Sequence, residues 1–367
     1  MGSKIDAIIV AEPWFGRLAV LRAADISEIS MADANTVLIV ADVFEHHEGR
    51  LSPFWADMPT EHEVQTISAW LRSIGFDVVV ASRVVDFLDH IAEHEVDIVL
   101  PLWRAGESRN RTGVVPAACE AKGIPFVGAD TFGQVVCQDK ALSKTLLRGS
   151  GLKTPSDVVW KRATEIDASR VAATLTLPVV VKPLYGACSI GVDESSLCES
   201  ESQIKEKACQ LFSGGLGPVI CEEFVAGDEI AVCIIEERGA IIDRCIAMYK
   251  DESGRCPFGE NLFTFAAKTT ESASWRIDSL PIDSLSELAW AELATMMASL
   301  GKVDLCRIDG RVREGVFTVI EITPDIHLGL DSLFLGGFAA AGIHPTEVLG
   351  RVIRASLRNQ GINAGAR

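Results

Sequence analysis

The stretch Val303–Thr323, VDLCRIDGRVREGVFTVIEIT, carries the strongest fold signal in the chain. Two runs rich in β-branched residues flank the turn residues Arg313–Gly315, which predicts a β-hairpin. Apolar side chains dominate both runs, so we expect the hairpin to be buried. The polar residues that alternate with them therefore enter a protein interior; these are Arg307 and Asp309 on the first strand and Glu321 and Thr323 on the second.

The polar residues of the hairpin permit two interpretations. Side chains two positions apart share a face of a strand, so the two members of each pair point the same way. Carboxylates and an arginine are costly to bury without counter-charges. Carboxylate oxygens suit Mg²⁺ and an adjacent arginine suits a phosphate. The alternative is a cross-strand salt bridge between Arg307 and Glu321. The hairpin alone leaves both open.

Length and composition limit the kinds of protein that this chain can be. With 367 residues, of which 48% are hydrophobic, it can form two or three domains with a large core. Its net charge of −17 argues against nucleic-acid partners and anionic membrane surfaces. The ten scattered cysteines lack CxxC spacing and are typical of reduced core thiols. No signal peptide or bilayer-spanning run is evident, so we expect a soluble, cytoplasmic protein without a membrane partner.

The order of predicted elements changes along the chain. Strands and helices alternate from Thr36 to a short predicted strand at Pro125–Val127, which predicts a doubly wound parallel domain ending near residue 130. Beyond Leu177 strands outnumber helices, which predicts an α+β region with antiparallel sheet. The chain therefore combines two fold classes.

A lysine at a predicted strand end introduces a loop of small residues. The strand Val179–Lys182 precedes Pro183 and the loop Gly186–Gly191. Such a loop lets backbone N–H groups approach phosphate oxygens, and Lys182 adds a point charge. A plain hairpin with an exposed lysine is the alternative. The Lys-Pro pair before small residues favours the phosphate interpretation.

An acidic turn follows the next strand. Glu222 lies at a predicted strand end beside Phe224 and Val225, where its carboxylate suits an adenine amino group. Glu229 would remain free for ribose hydroxyls. Acidic turns are common, so this segment alone is a weak indication.

The segment His90–His94 has the HxxEH spacing of one class of zinc peptidases. Histidines four residues apart share a helix face. Acidic neighbours indicate a solvated helix instead, and the sequence offers no evident third ligand. A zinc site is therefore disfavoured.

Taken in order, eight segments resemble the ATP-grasp superfamily and, within it, the D-alanine–D-alanine ligases. The resemblance runs from about Thr36 to Arg358, nearly the whole chain. The segments are EHEV (61–64), QDKALSK (138–144), VVVKP (179–183), the small loop to Gly191, EEFVAGDE (222–229), AAK (266–268), RID (307–309) and EIT (321–323).

The resemblance implies an ATP-grasp fold of mixed α/β and α+β class. Its N-terminal domain would be a doubly wound parallel α/β unit, followed by a small lid and an α+β domain. The implied divisions are a leader at 1–34, a substrate-side α/β domain at 35–130, a central lid at 131–222, a C-terminal metal-binding domain at 223–358 and a tail at 359–367.

The resemblance also implies an ATP-dependent carboxylate–amine ligase that forms an acyl phosphate and releases ADP and phosphate. Small amino acids or carboxylates would be its substrates, and the family's habit is a homodimer. Two Mg²⁺ ions are implied, with Mn²⁺ as a substitute. The implied roles are phosphate contacts for Lys140, Lys182, Ser189 and Lys268; adenosine contacts for Glu222, Val225 and Glu229; metal binding for Asp309, Glu321 and Thr323; acyl-phosphate stabilisation for Arg307; and amino-acid contacts for Glu63 and Ser332.

The chain departs from the ligase pattern at one metal position, Thr323, and at three candidate substrate-binding residues, Cys188, Thr269 and His327. Thr323 replaces a metal-binding Asn, Cys188 replaces a Ser, Thr269 replaces a Tyr, and His327 stands where a Gly is expected. We therefore predict a ligase that joins specialised amino-acid substrates other than two D-alanines. The alternatives are a D-alanine–D-alanine (or D-Ala–D-X) ligase with an altered pocket, and an ATP-binding protein without ligase turnover.

Overall fold

The structure is a computed structural model that describes residues 36–47, 58–104, 106, 108–262, 264, 275–324, 327–329 and 331–361. The predicted leader, most of the predicted tail, and the site candidates Lys268 and Thr269 lie outside these residues.

The first sheet is parallel and has the strand order β2–β1–β3. Alternate residues of its central strand enter two different cores, so helices cover both faces as the doubly wound prediction requires. The segment predicted as a strand at 125–127 contributes only one bridge, between Phe126 and Val99. The elements are β1 (Thr36–Val40), α1 (Glu61–Ser73), β2 (Asp77–Ala81), α2 (Val84–Glu93), β3 (Ile98–Pro101) and α3 (Val114–Lys122).

Two consecutive helices connect this sheet to the centre of the molecule. α4 spans Thr131–Gln138 and α5 spans Lys140–Gly149. The carboxylate of Asp139 accepts hydrogen bonds from the first backbone amides of α5, so this residue caps the helix that carries Lys140. α4 had no counterpart among the elements predicted from sequence.

The central sheet has four antiparallel strands in the order β4–β7–β5–β6. Two helices pack on one of its faces and form a separate small core with it. The elements are β4 (Asp157–Trp160), α6 (Ala168–Thr174), β5 (Val179–Pro183), β6 (Leu197–Cys198), α7 (Glu201–Ser213) and β7 (Val219–Glu223).

The largest sheet has five antiparallel strands in the order β10–β9–β8–β11–β12. Alternate residues of β8 enter two cores, one shared with α1 and the C-terminal helices and one shared with α8. No described helix is long and apolar enough to cross a membrane. The elements are β8 (Asp228–Glu237), β9 (Ala240–Lys250), β10 (Arg276–Leu280), α8 (Glu287–Leu300), β11 (Leu305–Arg313), β12 (Val316–Thr323), α9 (Leu333–Ala340) and α10 (Pro345–Asn359).

The predicted hairpin is β11–β12, and its turn uses Glu314 and Gly315, both with positive φ. A β-bulge interrupts the pairing: Asp309 faces Glu321, whereas Gly310 faces Val319. Ile320 is therefore the extra residue on β12. We expected Ile320 to be buried with the other apolar residues of the hairpin. Instead Ile320 and Glu321, which are neighbours in sequence, both line the same cavity.

Candidate functional site

A cavity of about 670 Å³ lies between the central sheet, the five-stranded sheet and the beginning of α1. Every predicted site residue that the structure describes lines it. These residues are Glu63, Lys140, Lys182, Cys188, Ser189, Glu222, Val225, Glu229, Arg307, Asp309, Glu321, Thr323, His327 and Ser332.

Two lysines share one buried carboxylate at the wall formed by the central sheet. Glu222 is 3% exposed, and its Oε1 lies 2.6 Å from Lys182 Nζ while its Oε2 lies 3.0 Å from Lys144 Nζ. Burial alone would raise the pKa of the Glu222 carboxyl, but the two ammonium groups outweigh burial and lower the pKa to about 2. Burial lowers the pKa of Lys144 even though Glu222 opposes the shift. Lys144 was not among the predicted site residues.

Lys140 connects α5, the small loop and the hairpin. Its Nζ donates to the carbonyl oxygen of Gly186 at 2.6 Å and lies 3.3 Å from Glu321 Oε1. Cys188 and Ser189 in this loop both have positive φ, which costs energy in residues other than glycine and is typical of functional loops. The side chain of Lys140 thus contacts both the small loop and the carboxylate of Glu321 on β12.

Arg311 is a site residue that the sequence prediction missed. It is 2% exposed, and its guanidinium donates to Glu229 Oε2 at 3.0 Å and to the carbonyl oxygens of Val225 and Asn261 at 2.9 and 2.6 Å. Glu229 is therefore not a free carboxylate, because Arg311 holds it; its contact with a ribose stays a prediction. The sequence pattern could have identified Arg311, because it lies two residues beyond Asp309 and so shares a strand face with Arg307 and Asp309.

Arg307 pairs with a carboxylate on its own strand. Its Nε donates to Oδ1 of Asp309 and its Nη2 donates to Oδ2, each at 2.8 Å. Across the hairpin it faces Thr323, while Asp309 faces Glu321. The predicted alternative, a salt bridge between Arg307 and Glu321, is therefore replaced by the bidentate pair within β11. This pair fixes the orientation of the guanidinium toward the cavity.

The hairpin offers oxygen ligands of the kind that hard cations prefer. Asp309 and Glu321 occupy directly opposed positions, and the hydroxyl-bearing Thr323 is two residues further along β12. Within the described ranges no cluster of three or more His, Cys, Asp or Glu side chains could hold a metal by itself. The set fits a Mg²⁺ ion that takes its remaining ligands from water or phosphate. It does not fit a closed structural zinc site.

His327 lies between two carboxylates at the other end of the cavity. Its Nδ1 is 3.0 Å from Glu63 Oε1, and its Nε2 is 3.0 Å from Asp331 Oδ1. Burial would lower the pKa of His327, but its hydrogen bonds with the two carboxylates raise it to about 9. The imidazole is therefore a cation at neutral pH.

Ser332 organises the loop that carries His327. Its hydroxyl donates to the carbonyl oxygen of Gly329 at 2.7 Å and accepts from the backbone amide of Leu335 at 3.2 Å, which caps α9. A Cβ on Gly329 would lie 2.5 Å from His327 Nε2, so the ring packs directly on this glycine. The loop thereby fixes the position of the ring.

The aromatic side chains of Tyr249 and Trp275 line the cavity near the five-stranded sheet. Tyr249, Phe258 and Trp275 form a cluster in which the rings of Phe258 and Trp275 meet edge to face at 4.8 Å. Burial raises the pKa of Tyr249 to about 12. Sequence reasoning identified none of these residues, because they come from segments without a recognisable motif.

The histidines of the HxxEH segment lie away from this cavity. The rings of His90 and His94 stack at 4.5 Å at the end of α2. In the described part of the chain they belong to no metal-binding cluster.

Comparison with known proteins finds relatives that are named D-alanine–D-alanine ligases. The family model described as D-ala D-ala ligase C-terminus matches residues 146–354. A D-alanine–D-alanine ligase of Actinobacillus pleuropneumoniae serotype 5b is 26% identical over 292 residues, 78% of this chain and 89% of the relative. A ligase of the same name from Corynebacterium aurimucosum is 28% identical over 280 residues, 75% of each chain.

Solved structures show the same fold. The D-alanine–D-alanine ligase of Bacillus anthracis complexed with ATP has a TM-score of 0.66 at 20% identity, covering 90% of this chain and 99% of its own. A D-Ala:D-Ser ligase from Enterococcus faecalis has a TM-score of 0.62 at 16% identity, covering 88% and 100%. The predicted ATP-grasp fold is confirmed. Since the family model spans more than half of its length, the chain belongs to the D-alanine–D-alanine ligase C-terminal family.

Proposed function

We propose that the chain is an ATP-dependent carboxylate–amine ligase that works through an acyl phosphate. The observation that carries the proposal is the convergence of four cation–carboxylate pairs in one cavity. Such a set can meet both phosphates and a divalent cation. The pairs are Lys182–Glu222, Lys140–Glu321, Arg307–Asp309 and Arg311–Glu229.

The nucleotide would bind between the central sheet and the hairpin. Lys140, Lys182 and Ser189 of the small loop line the cavity and would contact the phosphates. The family resemblance adds Lys268 to this set. Glu222, Val225 and Glu229 would hold the adenosine, with Arg311 fixing Glu229. Gly310 and Ile320 add small and apolar surface beside these groups. The ATP-bound Bacillus anthracis relative supports the choice of nucleotide.

Asp309, Glu321 and Thr323 would hold Mg²⁺, either one ion or the two that the family resemblance implies. When bound, the metal supplies neutralisation of phosphate charge. The residues of the chain do the remaining work. The bidentate contact with Asp309 holds Arg307 rigidly, so its guanidinium can stabilise negative charge on the acyl phosphate and on the tetrahedral intermediate.

The reaction then needs little covalent participation by the protein. A carboxylate oxygen of the first substrate attacks the γ-phosphorus, and ADP leaves. The amine attacks the acyl carbon, loses a proton, and phosphate leaves. Positioning and charge neutralisation lower both barriers. Glu63 and His327 lie at the end of the cavity where the first substrate would bind, and Ser332 shapes the adjoining loop.

The names of the relatives favour D-alanine–D-alanine ligation as the second candidate. The altered residues Cys188, His327 and Thr323 favour specialised substrates instead. We also propose the cytoplasm as the location, a homodimer as the assembly, and domain boundaries near residues 130 and 222.

Phosphate and ADP release from purified protein with ATP, Mg²⁺ and a panel of amino acids and other small carboxylic acids tests the proposal. We expect release that requires both a carboxylic acid and ATP. Release that reaches its maximum with D-alanine alone would favour the second candidate. ATP binding without release from any acid would favour a nucleotide-binding protein without turnover.

A further inference from the structure

Glu63 is a buried carboxylate whose counter-cation belongs to the protein. It is 7% exposed and lines the cavity near the beginning of α1. Its backbone amide donates to Thr60, the residue that caps α1, so the helix start fixes its position. Its Oε1 contacts the ring of His327 at 3.0 Å.

The imidazole of His327 cannot easily leave this place. Its second nitrogen is held by Asp331 at 3.0 Å, and the ring packs on the backbone of Gly329. The hydroxyl of Ser332 in turn holds the carbonyl oxygen of Gly329. The imidazole of His327 is thus held in place beside Glu63 by its own loop and does not rotate freely.

The two groups nearest the substrate cancel each other's charge. Glu63 is negative and His327 is positive. The second carboxylate, Asp331, has a side chain that is 86% exposed, so water screens most of its charge. An ammonium group that approached Glu63 would meet a carboxylate whose charge the imidazolium of His327 already neutralises. It would also lie beside that second cation.

One hydrogen-bonding position on Glu63 remains. Its Oε2 is buried and has no hydrogen-bond partner among the residues that the structure describes. Burying an acceptor without a partner costs free energy, so a ligand that donates a hydrogen bond to this oxygen binds more favourably. A neutral donor satisfies it without adding charge.

We propose that the carboxylic acid activated by this enzyme presents a hydroxyl group to Glu63, as a 2-hydroxy acid does, in place of the ammonium group of an amino acid. The inference rests on the proposed ligase function and names the substrate class of the same site. It assigns His327 as the residue that excludes the ammonium group, because the imidazolium occupies the position of that cation on Glu63.

Trapping of the acyl phosphate with hydroxylamine tests this inference without knowledge of the natural amine. The acid's oxygen forms a bond to the γ-phosphorus as ADP leaves. Hydroxylamine nitrogen then bonds to the acyl carbon, phosphate leaves, and the nitrogen releases a proton to water. The probes are matched pairs in both configurations: lactate against alanine, and glycerate against serine. Hydroxamate is measured by mass spectrometry at neutral pH.

For wild-type protein we expect kcat/KM to favour the hydroxy acid by about tenfold or more in at least one pair. His327→Gln removes the cation and should shift this ratio toward the amino acid. His94→Gln, an exposed histidine remote from the cavity, should leave the ratio unchanged. Preference for the amino acid in every pair would overturn the inference and leave the ligase function intact. Hydroxamate from no acid would overturn both.

Discussion

Lys182 and Glu222 form an ion pair of 2.6 Å in the wall of the cavity, and Lys144 contacts the other oxygen of the same carboxylate at 3.0 Å. One carboxylate therefore pairs with two buried lysine side chains. Lys182 faces the cavity, whereas Lys144 is fully buried behind it and also donates to Thr154. Glu222 thus supports the structure of the wall in addition to its proposed contact with adenosine.

Glu222→Gln should destabilise the protein strongly. The substitution leaves two buried cations without their shared anion, and breaking a buried pair in this way costs about 3–5 kcal/mol. The free energy of unfolding, measured by urea denaturation, checks this. Glu223→Gln is the matched control, because its carboxylate is more exposed than that of Glu222 and accepts hydrogen bonds from neutral groups such as the backbone amide of Thr176. Equal stabilities for both variants would contradict the expectation.

The carboxylate of Glu222 also predicts that the stability of the protein falls at acidic pH. Its pKa is lowered to about 2 in the folded protein, from an unfolded value of about 4.5. The stabilisation is therefore complete above the unfolded pKa and is lost as the pH falls toward the folded pKa. The melting temperatures of wild type and Glu222→Gln should converge between about pH 4.5 and pH 2. A constant difference across this range would argue against the ion pair.

His327 predicts the opposite dependence at alkaline pH. Its pKa is raised to about 9, because Glu63 and Asp331 favour the cation. A raised pKa gives stabilisation that is complete below about pH 6.5 and is lost as the pH rises through the folded value. The melting temperature of wild type should fall between pH 6.5 and 9 relative to that of His327→Gln. The control His94→Gln should follow the wild-type curve.

Arg311→Lys should weaken ATP binding although it preserves the charge. A lysine cannot reproduce the planar fork that contacts Glu229, Val225 and Asn261 together. We expect the KM for ATP to rise by about tenfold, which corresponds to roughly 1.4 kcal/mol. Arg313→Lys, at the exposed end of the same strand, is the control. An unchanged KM for ATP in Arg311→Lys would remove Arg311 from the nucleotide site.

Thr323→Asn should lower the Mg²⁺ concentration needed for half-maximal activity. An amide carbonyl is a better ligand for a hard cation than a hydroxyl, and position 323 lies two residues from Glu321. Titration of ATP turnover with Mg²⁺ measures the effect. The control is Thr318→Asn, which changes the same residue type further back on β12. An unchanged titration would place residue 323 outside the coordination sphere.

Local patterns in the sequence predicted the hairpin, the lysine at the end of β5 and the small loop, because each is encoded by neighbouring residues. The bulge at Ile320 was not predicted, since the run VIEI is compatible with regular alternation until its partner strand is known. The multiple contacts of Arg311 and the position of Lys144 behind Glu222 were also missed. The alternation on β11 indicates the face that carries Arg311, but these contacts depend on how α5, β7, β8 and β11 approach one another, which no short segment specifies.

The four ion pairs in the cavity also have a consequence for the order in which ligands arrive. Each of these four cations already has a carboxylate partner, so ATP alone must displace carboxylates and Mg²⁺ alone must displace cations. When ATP and Mg²⁺ bind together, the phosphates pair with the cations of the protein and the metal pairs with its carboxylates, so no charge is left without a partner. We therefore expect strong mutual dependence: calorimetry should show far tighter binding of the Mg²⁺–nucleotide complex than of either component. Equal affinity for metal-free ATP would argue against such an exchange.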